Sequence, residues 1–154
     1  MERRVSVNSR IITILIVVGL TLLQSVKAGD RVVVLVTSSG CAMETISTLD
    51  VRKAYLGLGV SFEGRRVVAF RLNNDDALNQ VFFQSVVAMS RKTYERRLLL
   101  LLLKFGRPRP PEYNSVDDLV NAIDDATCNI AYMWQGDLYG HTGVKVLKVL
   151  WQEN

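Results

Sequence analysis

Arg31-Val-Val-Val-Leu-Val36 is the feature that most narrows the folds open to this chain. An unbroken β-branched run, without polar alternation, is the pattern of a strand buried on both faces. It ends in a polar loop, Thr37-Ser38-Ser39-Gly40. Ser47-Thr48-Leu49-Asp50 then forms a capping box for a helix over Leu49–Leu56, which stops at Gly57. Glu63-Gly64 makes a turn into a second apolar strand, Arg66–Arg71. Asn73-Asn74-Asp75-Asp76 opens another helix, with Leu78, Val81, Phe82, Ser85 and Val86 at helical spacing.

A third helix over Arg91–Lys104 contains six consecutive leucines, Leu98 to Leu103, bracketed by Arg97 and Lys104. Six residues are too few to cross a bilayer, so the expectation is a helix buried on most of its circumference. Gly106-Arg107-Pro108-Arg109-Pro110-Pro111 breaks that helix into an extended loop. Ser115-Val116-Asp117-Asp118 caps a fourth helix, to about Asp125. Asn129–Met133 and Val144–Leu150 close the chain as strands, the last alternating around Lys145 and Lys148 and so partly exposed. Strands alternating with helices over this length predict a single α/β domain.

Residues 1–28 read as an export signal. Arg3, Arg4 and Arg10 precede an apolar stretch from Ile11 to Leu23, and Val26-Lys27-Ala28 sets a cut before Gly29. The alternative is an uncleaved signal anchor. Either reading exports the folded part, residues 29–154, to a periplasmic setting, with membrane contact expected only if the leader stays attached. The leader also explains most of the basicity. The whole chain has 19 Lys+Arg and 15 Asp+Glu, and removing four cations and one anion leaves 15 against 14. A balance so near neutral excludes nucleic acid as a partner, which requires a clustered cationic surplus. Two cysteines remain, Cys41 and Cys128. They form either a disulfide, permitted in an oxidising compartment, or two separate small buried side chains. With one histidine, His141, and no ligand spacing, neither a metal nor a cofactor is expected.

The order of these segments resembles the small, single-domain relatives of the phosphate-binding proteins of ABC importers. Ser47-Thr-Leu-Asp-Val-Arg-Lys-Ala-Tyr-Leu-Gly57 is similar to that family's "SLSREELRxIFLG" helix. Lys104-Phe-Gly-Arg-Pro-Arg-Pro-Pro111 is similar to its "F-x-G-x-G-x-x-P" loop, and Asn129-Ile-Ala-Tyr-Met133 loosely to its "GAIGYV" strand. The resemblance implies a single three-layer α/β lobe of periplasmic-binding-protein type, with a mixed, mostly parallel sheet flanked by helices. It also implies binding rather than catalysis. In full-length members phosphate lies between two lobes, against an "R-x-x-x-S-G-T" segment that opens a helix. Here Arg71 takes the arginine position, but Asp75-Asp76-Ala77 stands where Ser-Gly-Thr should be. Carboxylates there repel a divalent anion and occupy the helix-start N–H groups. About 125 residues also make one lobe, without a clamp.

Candidate anion-binding residues are therefore Thr37, Ser38 and Ser39 in the first loop, Arg71, and Arg107 and Arg109 in the proline-rich loop. Arg107 and Arg109 end a basic stretch with Arg91, Lys92, Arg96, Arg97 and Lys104, opposed only by Glu95. The bland reading of that stretch is a solvated helix face. Trp134, Tyr139 and Trp151 fit either a binding surface or edge packing, and His141 lacks the partners of a catalytic triad. Two functions follow. The first is an exported solute-binding-like protein holding a small oxyanion such as phosphate through Arg71 and the Ser38-Ser39 loop. The second is an interaction or assembly module that has lost solute binding and contacts another exported or inner-membrane protein.

Overall fold

The computed structural model describes residues 31–123 and 128–153; residues 1–28, expected to be an export signal, and Asp125, at the expected end of the fourth helix, lie outside the described residues. Strand β1 (Val32–Ser38) is the buried run, and both its edges are paired. On one side it pairs antiparallel with β6 (Ile130–Trp134), Val33 opposite Trp134 and Thr37 opposite Ile130. On the other it pairs antiparallel with β7 (Val144–Gln152), with register shifts after Val33 and Leu35. Strand β4 (Ala69–Leu72) runs parallel to β6 and to the short edge strand β5 (Glu112–Tyr113). The order is β5-β4-β6-β1-β7, so four strands run one way and β1 the other. This is the mixed, mostly parallel sheet expected.

Local chemistry sets the helices. Helix α1 (Thr48–Tyr55) begins where the Ser47 hydroxyl accepts the Asp50 N–H at 3.0 Å and donates back to the Asp50 carboxylate at 2.7 Å. It ends at Gly57, whose φ of +70° suits glycine, and the Leu58 N–H closes onto the Lys53 carbonyl. Helix α2 (Asp76–Phe82) follows β4 directly and continues as a π turn over Phe83–Val87. Helix α3 (Arg91–Phe105) is capped by Ser90, and α4 (Val116–Ala122) by Ser115. A 3-10 turn, Gln135–Leu138, follows β6.

The core joins these helices to the sheet through aromatic rings with hydrogen-bonded hydroxyls. Phe82 stacks on Tyr132 at 3.7 Å between centroids and meets Tyr55 edge-on at 4.7 Å. The Tyr55 hydroxyl donates to the Phe70 carbonyl at 3.0 Å, Tyr132 donates to Asn79, and Tyr94 donates to the Tyr55 carbonyl at 2.7 Å. Buried phenols must place their polar ends, and these do so on backbone and amide oxygens. Helix α4 packs on β4 and β5 with Leu119 fully buried.

Two expectations are corrected. The run 66–71 is not one strand. Glu63 and Gly64, both at positive φ, fold β2 (Ser61–Phe62) back onto β3 (Arg65–Arg66) as a separate hairpin, and only Ala69–Leu72 joins the main sheet. The leucine helix is not buried on most of its circumference. Only Tyr94 and Leu98 of α3 are buried, because the helix rests on the body along one narrow stripe.

Cys41 and Cys128 form a disulfide with their Cα atoms 5.4 Å apart, across a sequence separation of 87. It clasps the end of β1 to the start of β6, where the Thr37 hydroxyl also donates to the Asn129 carbonyl at 2.7 Å. Replacing both cysteines by serine should lower the unfolding free energy by about 2 to 4 kcal/mol. Urea unfolding checks this, and equal midpoints for the two proteins would deny the bridge a role in stability.

Candidate functional site

The step from β4 into α2 is the place where a helix start faces the carboxyl end of the parallel strands. Asp75 occupies it. Its Oδ1 accepts the N–H groups of Ala77 at 2.7 Å and Leu78 at 3.2 Å, and its Oδ2 accepts the indole N–H of Trp134 at 2.8 Å. Arg31, Val32, Ala77, Gln135 and Gly136 complete a hollow of about 520 Å³ around these two residues. The Trp134 bond, then the backbone N–H groups and the charge of Arg31, hold the Asp75 carboxyl below its ordinary value against some burial. Asp137 sits close by, its carboxyl raised by burial and by the Asp75 charge. The hollow thus holds a fixed negative charge where an oxyanion would need donors.

Arg71 lies on β4 with its side chain 6% exposed. One end of the guanidinium pairs with Glu95 of α3; the other pairs with Glu112 of β5 at 3.0 Å, and Nε donates to the Pro110 carbonyl at 3.3 Å. Burial works against its charge, but Tyr94, Glu95 and Glu112 outweigh that and raise its pKa. The network extends outward. Arg109 reaches the second Glu95 oxygen at 3.6 Å, and Arg91 reaches Glu112 at 3.6 Å and Asp76 at 3.4 Å. Three guanidinium groups meet three carboxylates, so the cluster is neutral, and an anion entering it has to displace one of them.

The candidate residues do not converge. Thr37, Ser38 and Ser39 stand at the carboxyl end of β1, which points to the end of the sheet where β4 and β6 begin. Asp75 lies at the opposite end. Phe70 is level with Ala131 and Val36, so Arg71 is about 10 Å from Ser38 along the strands and two strand spacings, about 10 Å, across. The joint Arg71 and Ser38-Ser39 seat is therefore corrected by the reversed direction of β1. The loop hydroxyls are also engaged locally: Ser39 donates to the Gly143 carbonyl at 3.2 Å, and Ser38 Oγ accepts the Gly40 N–H at 3.0 Å.

Arg107 lies over the Phe105 ring and reaches the Gly57 carbonyl at 3.5 Å. Arg109 lines a second hollow of about 250 Å³ with Ala54, Gly57, Arg66 and the prolines 108, 110 and 111. Arg66 was not among the candidates, because its place beside Arg109 depends on the β2–β3 hairpin. Trp134 and Trp151 pack edge-on at 6.4 Å, whereas Tyr139 projects into solvent. His141 Nε2 is 3.6 Å from Asp117 Oδ1, a partner supplied by folding. Among the described residues no cluster of metal-ligating side chains forms.

No protein-family model matches the chain, and no curated protein does. Solved structures share its fold, two of them phosphate-receptor proteins by description. One is an ABC-type phosphate transport receptor from Vibrio cholerae, with a TM-score of 0.54 and 9% identity over 77% of this chain and 46% of the receptor. The other is a possible phosphate-binding protein from Planctomyces limnophilus, with a TM-score of 0.53 and 14% identity over 77% of this chain and 41% of that one. The chain spans less than half the length of either. At such identities the likeness is one of fold: the three-layer α/β lobe expected from the sequence is the one observed.

Asp75→Ala should cost about 1 to 2 kcal/mol through loss of the helix cap. The Asp75 carboxyl titrates below 3.8 in the folded chain, so its contribution is complete above that pH and lost as pH falls through the lower folded value. Urea unfolding of both proteins from neutral to acid pH should show the gap closing on the acid side. A gap unchanged by acid would contradict the assigned charge.

Proposed function

We propose that this chain is an exported interaction module, built on one lobe of a phosphate-receptor fold whose anion seat is filled by its own carboxylate. The single observation that carries this reading is Asp75. It accepts two helix-start N–H groups and the Trp134 indole, the donors that would otherwise be offered to a ligand oxygen. The neutralised Arg71 supports it, as does the separation of the Ser38-Ser39 loop from that seat. The chain then acts by presenting a surface to another component of the exported space. The apolar stretch from Ile11 to Leu23 and the Cys41–Cys128 bridge support export.

A second reading keeps weak oxyanion binding at a different place. It rests on Arg66 and Arg109, which line the same hollow at the carboxyl end of α1.

Thermal unfolding with added phosphate separates the two. A receptor with micromolar affinity gains about 4 kcal/mol of stability at millimolar phosphate. We expect no shift beyond that produced by an equal ionic strength of chloride. A phosphate-specific shift abolished by Arg109→Gln would favour the second reading, and one of receptor size would overturn the first. N-terminal sequencing of the exported product should begin at Gly29; a product retaining Met1 would make the leader an anchor.

A further inference from the structure

Helix α3 is held to the body by Tyr94 and Leu98, with Leu101 partly covered against Gly57. Its carboxyl half carries Leu99, Leu100, Leu102, Leu103 and Phe105 in the open, with Leu103 at 72% and Phe105 at 67% exposure. Single exposed leucines are ordinary, but five large apolar side chains within seven positions form a patch. At 100° per residue, Leu99 and Leu103 continue the row that Lys92 and Arg96 begin, on the side of the helix away from the body. Leu100 lies one turn from both Arg96 and Lys104.

The charge around this patch has one sign. Arg96, Arg97 and Lys104 are exposed on the helix and Arg107 follows it, and residues 96–111 contain no carboxylate. The nearest acid, Glu95, gives its two oxygens to Arg71 and Arg109. A nearly neutral domain has therefore set four cations, with no carboxylate between them, beside its exposed leucines. The apolar side chains stand on a convex helix and line neither hollow described above.

We propose that the carboxyl half of α3 docks on a lipid bilayer bearing anionic headgroups. Leu99, Leu100 and Leu103, on the side away from the body, enter the headgroup–acyl boundary, and Arg96, Arg97, Lys104 and Arg107 meet the lipid phosphates. The helix is about 22 Å long, shorter than the roughly 30 Å of a hydrocarbon core, so it lies in the interface rather than spanning. A second copy is the poorer occupant, because a two-fold pairing of these leucines brings the same cations face to face. An acidic protein needs a groove shaped to this ridge, whereas a fluid bilayer adapts to it. The proposal rests on the preceding reading only in that the chain works through a surface; it uses none of the residues of the filled anion seat.

The test is vesicle co-sedimentation of the full chain with phosphatidylglycerol and with phosphatidylcholine vesicles. The comparison is between the native sequence, Leu99→Ser/Leu103→Ser and Arg96→Gln/Lys104→Gln. The apolar leader is common to all three proteins, so differences among them report on α3. The native chain should favour phosphatidylglycerol at least tenfold, and salt should weaken that preference. The leucine variant should lose about tenfold or more on phosphatidylglycerol. The charge variant should lose a similar factor there and little on phosphatidylcholine. Amide exchange over 99–107 should slow on phosphatidylglycerol vesicles in the native chain alone. All four positions are exposed, so melting curves should be unchanged; if the leucine variant unfolds, the charge variant and the exchange measurement still decide. Equal partitioning of native and variant chains would overturn the proposal, as would unchanged exchange over 99–107. So would a leucine-dependent dimer without lipid, or leucine-dependent binding of an acidic protein without vesicle binding. Phosphate titration of the same samples reads the anion seat separately, so the two ideas fail independently.

Discussion

A guanidinium buried one strand in from the edge of a sheet must bring its counter-charges with it, and Arg71 does so from two directions. Glu112 comes from the neighbouring strand β5, and Glu95 comes from α3. An uncompensated charge at this depth would cost several kcal/mol, so the positions of β5 and α3 are tied to β4 by electrostatics as much as by packing. Tyr94 joins the same anchor, its ring beneath the guanidinium at 5.7 Å and its hydroxyl on the Tyr55 carbonyl. All of these contacts lie in the first turns of α3. The later turns rest on Leu98 and Leu101 alone, and beyond them the helix overhangs.

The step from the carboxyl end of β4 into α2 shows the same economy of charge with a different outcome. A helix start is an anion site by default, because its first N–H groups have no partner within the helix. Asp75 supplies the anion from the chain itself, and Trp134 fixes the second carboxylate oxygen from β6. The seat keeps its geometry and loses its vacancy. Arg71, the cation that the sequence resemblance assigns to such a site, does not line the hollow around Asp75 and pairs with Glu95 and Glu112. The helix-start donors and the guanidinium are each paired within the chain.

Much of this was legible from residues wherever the determining chemistry is local. The unalternating run at β1, the Ser47 and Ser115 caps, Gly57, and the acidic start of α2 each act within one turn of themselves, and each stands where the sequence places it. Three features were not legible. Arg66 and Arg71 looked like the ends of one strand, because periodicity does not show that the Glu63-Gly64 turn takes Arg65 and Arg66 into a hairpin. The Ser38-Ser39 loop looked like a neighbour of Arg71, because a sequence does not show that β1 runs against β4 and β6. The six leucines looked buried, because an apolar run has no polar face to indicate where the helix meets the body.

That last error has a physical reading. Leucine-rich helices are usually enclosed because exposing them is unfavourable by roughly 1.5 to 3 kcal/mol for each large side chain left in water. Here enclosure is prevented by the anchor. With Tyr94 and Glu95 fixed on the Arg71 side, the helix direction is set, and Leu99, Leu100, Leu102, Leu103 and Phe105 stay exposed beyond Leu98. The same anchor turns the only acid of the basic stretch inward. One buried charge therefore bears on both properties of this helix, its exposed leucines and its run of cations without a free carboxylate. A surface with those two properties together matches an anionic lipid interface better than it matches water.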